Sequence, residues 1–258
     1  MNWSQIAVGN NAFIEDGGLF YYLVPRKNLS PEIIDLMFVL MVKNYDHMSR
    51  LSFEKDLAVK QYVGMIASED DELVGFTTYA VNPKGSGTEN YNIIFSGDTI
   101  IDPAHWGTQI IVKGWTMSVG WISKSDQSKK WYWYLMSKGH RTYLYLPLFF
   151  ESYYPAPEPG LEEYLFKSIA HEVSTLLYGE YWKPGKGIIE FPDNQGSLKK
   201  ELSDDSFKKS KSPNISFFLE KNPGFEKGDE LVCITEISAD NFRRSVKNYF
   251  LRGYEAID

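Results

Sequence analysis

Residues 93–115 read "IIFSGDTIIDPAHWGTQIIVKGW". An apolar strand is interrupted by Ser96-Gly97-Asp98-Thr99, resumes at Ile100-Ile101, turns at Asp102-Pro103 and passes Gly107 into a helical pattern. Backbone N–H groups at a glycine turn that opens a helix make an anion site, because unpaired donors and the helix dipole point the same way. A carboxylate set in the preceding strand can take a proton from a reacting group. On an extended strand Asn92, Ser96 and Asp98 face one way, and Ile93, Phe95 and Thr99 the other. Burying a carboxylate is costly unless it is paired, so Asp98 needs a partner or a task. The competing reading makes Ser96-Gly97-Asp98 a bulge whose side chains bond the backbone.

A second group of polar residues, His140, Arg141 and Tyr143, follows the aromatic run "KWYWYLM". Arg141 suits a phosphate or a carboxylate. A tyrosine acts as an acid only if its ordinary value near 10 is tuned. Against this stands a capped helix start with Tyr143 packed on the core. His47, His105, His140 and His171 are not paired at ligand spacing, which indicates no metal site. Cys233, the single cysteine, lies in the alternating run "ELVCITEI" and reads as a buried structural thiol. One cysteine excludes an intrachain disulfide.

The elements that hold these residues follow from periodicity. "NLSPEIIDLMFVLMVKNYDHM" is a helix capped by Ser30, with Pro31 in its first turn. Ile33, Ile34, Met37, Leu40 and Met41 form one face, and Leu36, Phe38 and Val39 predict burial on most sides. A short helix starts near Ser52. "YVGMIAS" and "LVGFTTYAV" are strands of a hairpin joined by "EDDE". The helix after the opening strand runs from about Thr108 to Ser123, and its Gly114 and Gly120 cost roughly 1 kcal/mol each unless close packing uses them. "RTYLYLPLFFESYYP" predicts a helix ending before Pro155, with Pro147 either kinking it or lying in its first turn. "GLEEYLFKSIAHEVSTLLYG" is helical, the stretch from Asp193 to Asn214 is a mobile loop, "ISFFLEKN" and "LVCITEIS" make a second hairpin, and a helix near residues 241–251 closes the chain. This order gives an α/β or α+β domain with a mixed sheet.

This order of elements resembles the GNAT superfamily of N-acetyltransferase-like acyltransferases, most clearly in "YVGMIASEDDELVGFTTYAV", "IIFSGDTIIDPAHWGTQII" and "WYWYLMSKGHRTYLYLPLFFESYYP". The resemblance implies one domain over residues 1–258 with a splayed central sheet flanked by helices, and an insertion over 156–212. It implies acetyl-CoA or another acyl-CoA as co-substrate, held by Ile100, Ile101, Trp106, Gly107, Thr108, Gln109 and Arg141, with no metal. Asp98 becomes the base and Tyr143 the acid in acyl transfer to a small-molecule amine. An acyl carrier protein is the alternative donor, and a homodimer is left open. A catalytically inactive module that binds acyl thioesters or pairs with a partner protein is the other reading. It is favoured by the single glycine of the turn.

Charge and composition bound the rest. The 258 residues are 43% hydrophobic, enough for a sizeable core. A net charge of -7 gives no overall footprint for nucleic acid; Lys199-Lys200, or Lys208-Lys209 with Lys211, make either a local basic patch or, the preferred reading, a solvated loop. The first thirteen residues lack a basic segment followed by an apolar one, and "IIDLMFVLMV" is half a membrane span, so a cytoplasmic protein without membrane contact is expected.

Overall fold

The computed structural model describes residues 2–46, 48–192, 197–198 and 212–256. His47 and the lysines at 199–200, 208–209 and 211 lie outside them, as does most of the expected mobile loop. In chain order the elements are β1 Ile14–Asp16, β2 Leu19–Pro25, α1 Pro31–Asn44, α2 Arg50–Ala58, β3 Tyr62–Ser68, β4 Leu73–Val81, β5 Tyr91–Ile101, α3 Ile110–Ser123, β6 Lys130–Ser137, α4 His140–Tyr143, α5 Tyr145–Phe149, α6 Glu163–Tyr178, β7 Trp182–Lys183, β8 Ile188–Ile189, α7 Pro213–Lys221, β9 Glu230–Glu236 and α8 Arg244–Glu255. Among the described residues no helix is long and apolar enough to cross a membrane.

The fold is α/β, with antiparallel sheet flanked by helices, and the chain divides into two units. The first comprises Met1–Val81, Ile94–Ser128 and Arg244–Asp258. Its strands run β1-β2-β3-β4-β5, each pair antiparallel. The β1–β2 hairpin is an element that the periodicity above does not predict. Its turn is Gly17-Gly18, both at positive φ (59° and 77°), after Asp16, a dipeptide turn that matches the twist of the strands. On one face of this sheet Tyr22, Val24, Val63, Met65, Phe76 and Ile100 join Ile33, Met37, Leu40 and Met41 of α1 and Phe53 and Leu57 of α2 in one core. Ser30 caps α1 by accepting from the Ile33 N–H. Burial on most sides of α1 does not hold: Leu36, Val39 and Val42 are exposed. The apolar stripe that reaches the sheet is narrower than the run of apolar residues.

The other face carries α3 and α8. Gly114 sets the α3 backbone over the Tyr21 ring, where a Cβ would come within 2.2 Å of ring carbons. Below it the buried hydroxyls of Tyr21 and Tyr79 share a hydrogen bond of 2.5 Å. A Cβ on Gly120 would lie 2.3 Å from the Phe250 carbonyl, and one on Gly253 would lie 1.9 Å from the Met117 carbonyl. Close packing thus uses the α3 glycines whose cost the sequence raises.

The second unit, Asn82–Ile93 with Lys129–Arg243, holds the strand order β6-β9-β8-β7, again antiparallel in each pair. Cys233 is buried in β9 with its thiol free, and burial pushes that thiol far above its ordinary value. Two segments depart from their sequence pattern. "ISFFLEKN" is not a strand but part of α7, with Ile215 and Phe218 buried and Pro213 in its first turn, so β9 has no hairpin partner there. "RTYLYLPLFFESYYP" is not one helix. It makes α4 and α5, then turns extended at Phe150, which bridges to Phe242, while Tyr154 bridges to Ile234. Pairing with distant strand-like backbone overrides local helix propensity.

Gly253→Ala tests the α3–α8 contact. Alanine favours a helix by about 1 kcal/mol over glycine, yet the blocked approach to Met117 predicts a net loss of about 1–3 kcal/mol. Urea unfolding measures it, and a gain in stability would contradict the close approach.

Candidate functional site

The interruption in β5 is a bulge. Thr77 pairs with Thr99 and Tyr79 with Ser96, so Gly97 and Asp98 together oppose Thr78 alone. The extra residue shifts the alternation expected for an unbroken strand. Ser96 and Thr99 now share the α3 face, where the Trp115 indole N–H donates to Ser96 Oγ at 2.9 Å and the Thr77 and Thr99 hydroxyls bond at 2.8 Å. Asp98 is half-buried rather than buried, so water reaches the bulge.

Behind the bulge stands Lys60, just past the end of α2. Its side chain is 1% exposed and its ammonium bonds Asp56 Oδ1 at 3.0 Å. The ammonium also sits 4.8 Å from the centroid of the Phe95 ring. A Cβ on Gly97 would lie 2.8 Å from Lys60 Nζ and 2.6 Å from Thr78 Oγ1, so residue 97 has no room for a side chain. The sequence gives no sign of this, because "LAVKQY" places Lys60 like any surface lysine after a helix.

Beyond Ile101 the turn is tied down on its inner side and open on its outer side. Asp102 accepts from the Ala104 N–H at 3.0 Å and pairs with Lys43. The hydrogen bond from Lys43, then that from Ala104, holds its carboxyl below the usual carboxylate range. The Trp106 indole N–H donates to Ile101 O at 3.0 Å. Gly107 has φ +88°, which disfavours any side chain, and space is open around its Cα. Thr108 Oγ1 accepts from the Ile110 N–H at 3.0 Å, so the helix starts at Ile110, two residues later than its pattern predicts. The first hydrogen bond of the helix joins the Lys113 N–H to Gln109 O. The N–H groups of Ile111 and Val112 therefore have no partner within the helix. Trp106, Gly107 and Gln109 are exposed around this end.

The structure thus gathers Asp98, Ile100, Ile101, Trp106, Gly107, Thr108 and Gln109 along one strand, turn and helix of the first unit. Ile100 itself turns into the core. Arg141 and Tyr143 belong to the second unit. Arg141 is exposed on α4. Tyr143 is fully buried, its hydroxyl donates to Pro155 O at 2.9 Å, and burial drives it far above the ordinary tyrosine value. Its ring packs against Phe217 and Phe218 at 6.0 and 5.9 Å. Those contacts are those of a core tyrosine. His140 is half-buried at the start of α4, and the His171 Nδ1 accepts from the Trp182 indole at 3.0 Å. Among the described residues no group of three His, Cys, Asp or Glu side chains could hold a metal.

Two stability measurements follow. The depressed Asp102 carboxyl contributes stability that is present above the unfolded value, about 4, and is lost as pH falls through the folded value. Asp102→Asn should therefore cost up to about 1 kcal/mol at pH 7, limited by the exposed Lys43, and the gap to the unaltered protein should close at acid pH. At the bulge, Asp56→Asn leaves a buried ammonium without its carboxylate and should cost about 1–2 kcal/mol. Lys60→Met leaves only a solvated carboxylate and keeps the apolar stem, at under about 1 kcal/mol. The reverse order in urea unfolding would mean that Lys60 is not sealed from water.

No family model matches the chain. No curated protein matches it in sequence. Among solved structures, a conserved protein of unknown function from Enterococcus faecalis V583, described as a probable N-acyltransferase, matches with 16% identity and a TM-score of 0.36. The match covers 48% of this chain and 31% of that one. A GNAT family N-acetyltransferase (YhbS) from Escherichia coli, in complex with CoA, matches with 9% identity and a TM-score of 0.34, over 48% of this chain and 67% of that one.

Proposed function

We propose that β5, the turn after it and the start of α3 bind a pantetheine thioester such as acyl-CoA, and that the chain transfers the acyl group to an amine. The observation that carries the reading is the succession of a half-exposed carboxylate on a strand bulge, an open glycine turn at positive φ, and a helix end with free N–H donors. The N–H groups of Ile111 and Val112, with the helix dipole, suit the pyrophosphate. Asp98 stands four residues before the turn begins at Asp102, where it serves as the base.

In the reaction the amine nitrogen attacks the thioester carbonyl carbon. The new C–N bond forms, the C–S bond breaks, and the amine proton passes to the Asp98 carboxylate. The thiolate takes its proton from water, since the Tyr143 hydroxyl is committed to Pro155. The small-molecule amine and the length of the acyl chain are unassigned. An acyl carrier protein would present the same pantetheine arm. The buried Tyr143 also favours a second reading, a module that binds the thioester without turning it over.

Calorimetric titration with coenzyme A, acetyl-CoA and a long-chain acyl-CoA tests the binding. Gln109→Glu puts a carboxylate at the helix N-terminus, where it helps the helix by about 0.3–1 kcal/mol but repels a phosphate. Affinity should fall at least about tenfold while stability holds. Asp98→Asn should keep the affinity and lower thiol release to an amine panel by about 100-fold or more. Binding without thiol release in the unaltered protein would select the second reading, and no binding of any of the three would end the coenzyme A reading.

A further inference from the structure

A separate groove opens at the far end of α3, within the first unit and away from the turn. It encloses about 440 Å³ and is lined chiefly by apolar surface. Tyr62 at the start of β3 and Trp121 near the end of α3 form its aromatic wall, with ring centroids 5.5 Å apart and planes at 80°. Gln61, Lys124 and Ser125 supply its polar groups.

Those groups are already partly engaged, and the way they are engaged fixes what they can offer. The Gln61 side-chain oxygen accepts from the Val81 N–H at 2.6 Å, which leaves its amide N–H₂ as the end able to turn outward. That nitrogen makes only a 3.4 Å bond to Val59 O. The Lys124 ammonium donates to Ala256 O and has two further N–H bonds to give. Ser125 spends its hydroxyl proton on Ile122 O at 2.8 Å. No acidic side chain is among the described residues that line the groove. Among the described residues that line the groove, Lys124 is the one charged side chain, and it stands beside two aromatic rings.

We propose that the groove binds a planar aromatic carboxylate, with its ring system against Tyr62 and Trp121 and its carboxylate on Lys124 and the Gln61 amide. The volume falls in the range of small-molecule sites, roughly 300–1,000 Å³, and suits a fused pair of rings. The remaining N–H groups of Lys124 favour an anion over a neutral ligand of the same shape and disfavour a cation.

The test is calorimetric titration of the full chain with 2-naphthoate, with 2-naphthamide and 2-naphthylmethylammonium as neutral and cationic counterparts. The anion should bind saturably, the amide at least about tenfold more weakly, and the cation not at all. Lys124→Gln should remove the preference for the anion over the amide, and Trp121→Leu should weaken both. Amide shifts in a ¹⁵N-labelled sample should move at Gln61, Tyr62 and Trp121 through Ser125. They should stay still at Trp106 through Gln109, which also separates this site from the proposed thioester turn. Equal affinity for acid and amide, an unchanged preference in Lys124→Gln, shifts centred on the turn, or no saturable binding at millimolar ligand would each overturn the proposal.

Discussion

One additional residue in β5 governs the first unit. Side chains on a strand alternate between faces, so a slip of one residue sends every apolar group to the wrong side. Upstream of the bulge Ser96 meets Trp115 of α3, and Phe95 takes the opposite face beneath Lys60. Downstream, Thr99 meets Thr77 on the α3 face and Ile100 enters the core of α1 and α2. Without the extra residue opposite Thr78, one of these two segments would face the wrong way. The same residue lifts Asp98 out of the regular ladder, so a folding requirement and a chemical opportunity share one position.

The bulge is held by an unusual neighbour. A lysine sealed from water is costly unless its charge is met, and here Asp56 meets it from the rim while the Phe95 ring faces it. Asp56 remains in contact with solvent, so one carboxylate serves a buried cation without itself being desolvated. The ammonium then occupies the place a side chain at residue 97 would take. This explains the glycine by close approach rather than by backbone freedom, since Gly97 is not among the glycines at positive φ.

Features governed by local rules were legible in the sequence. The cap of α1, the β3–β4 hairpin and the strand–turn–helix around Asp98 follow from capping chemistry, period and turn residues, and all are present. Features governed by distant partners were not. The run "ISFFL" has the composition of a strand, but Ser212-Pro213 starts a helix whose Ile215 and Phe218 lie three apart on one buried side. The aromatic stretch after Arg141 carries a helical pattern, but Phe150 and Tyr154 find extended partners ninety-two and eighty residues away. Tyr143 has the right chemistry for an acid and the wrong surroundings, which no local pattern reveals. Lys60 is the plainest case, because its burial depends on Phe95 and Gly97 of β5, far along the chain.

A helix end selects an anion only if it cannot drift, because a donor that moves by an ångström loses its hydrogen-bond geometry. The fixings of α3 all lie behind the exposed turn. The Tyr21 ring seats under Gly114, the α8 backbone lies against Gly120, and Trp115 is bonded to β5. The turn is pinned by Asp102 to Ala104 and Lys43 and by the Trp106 indole to Ile101. Thr108 uses its hydroxyl on Ile110, the first N–H of the helix, and leaves those of Ile111 and Val112 without a partner inside the helix. The chain therefore applies its internal bonds to the side of the turn that faces the sheet and leaves the donors of the other side unspent. The proposed anion site rests on that asymmetry, since every helix start has unpaired N–H groups but only a fixed one can hold a ligand at hydrogen-bond geometry.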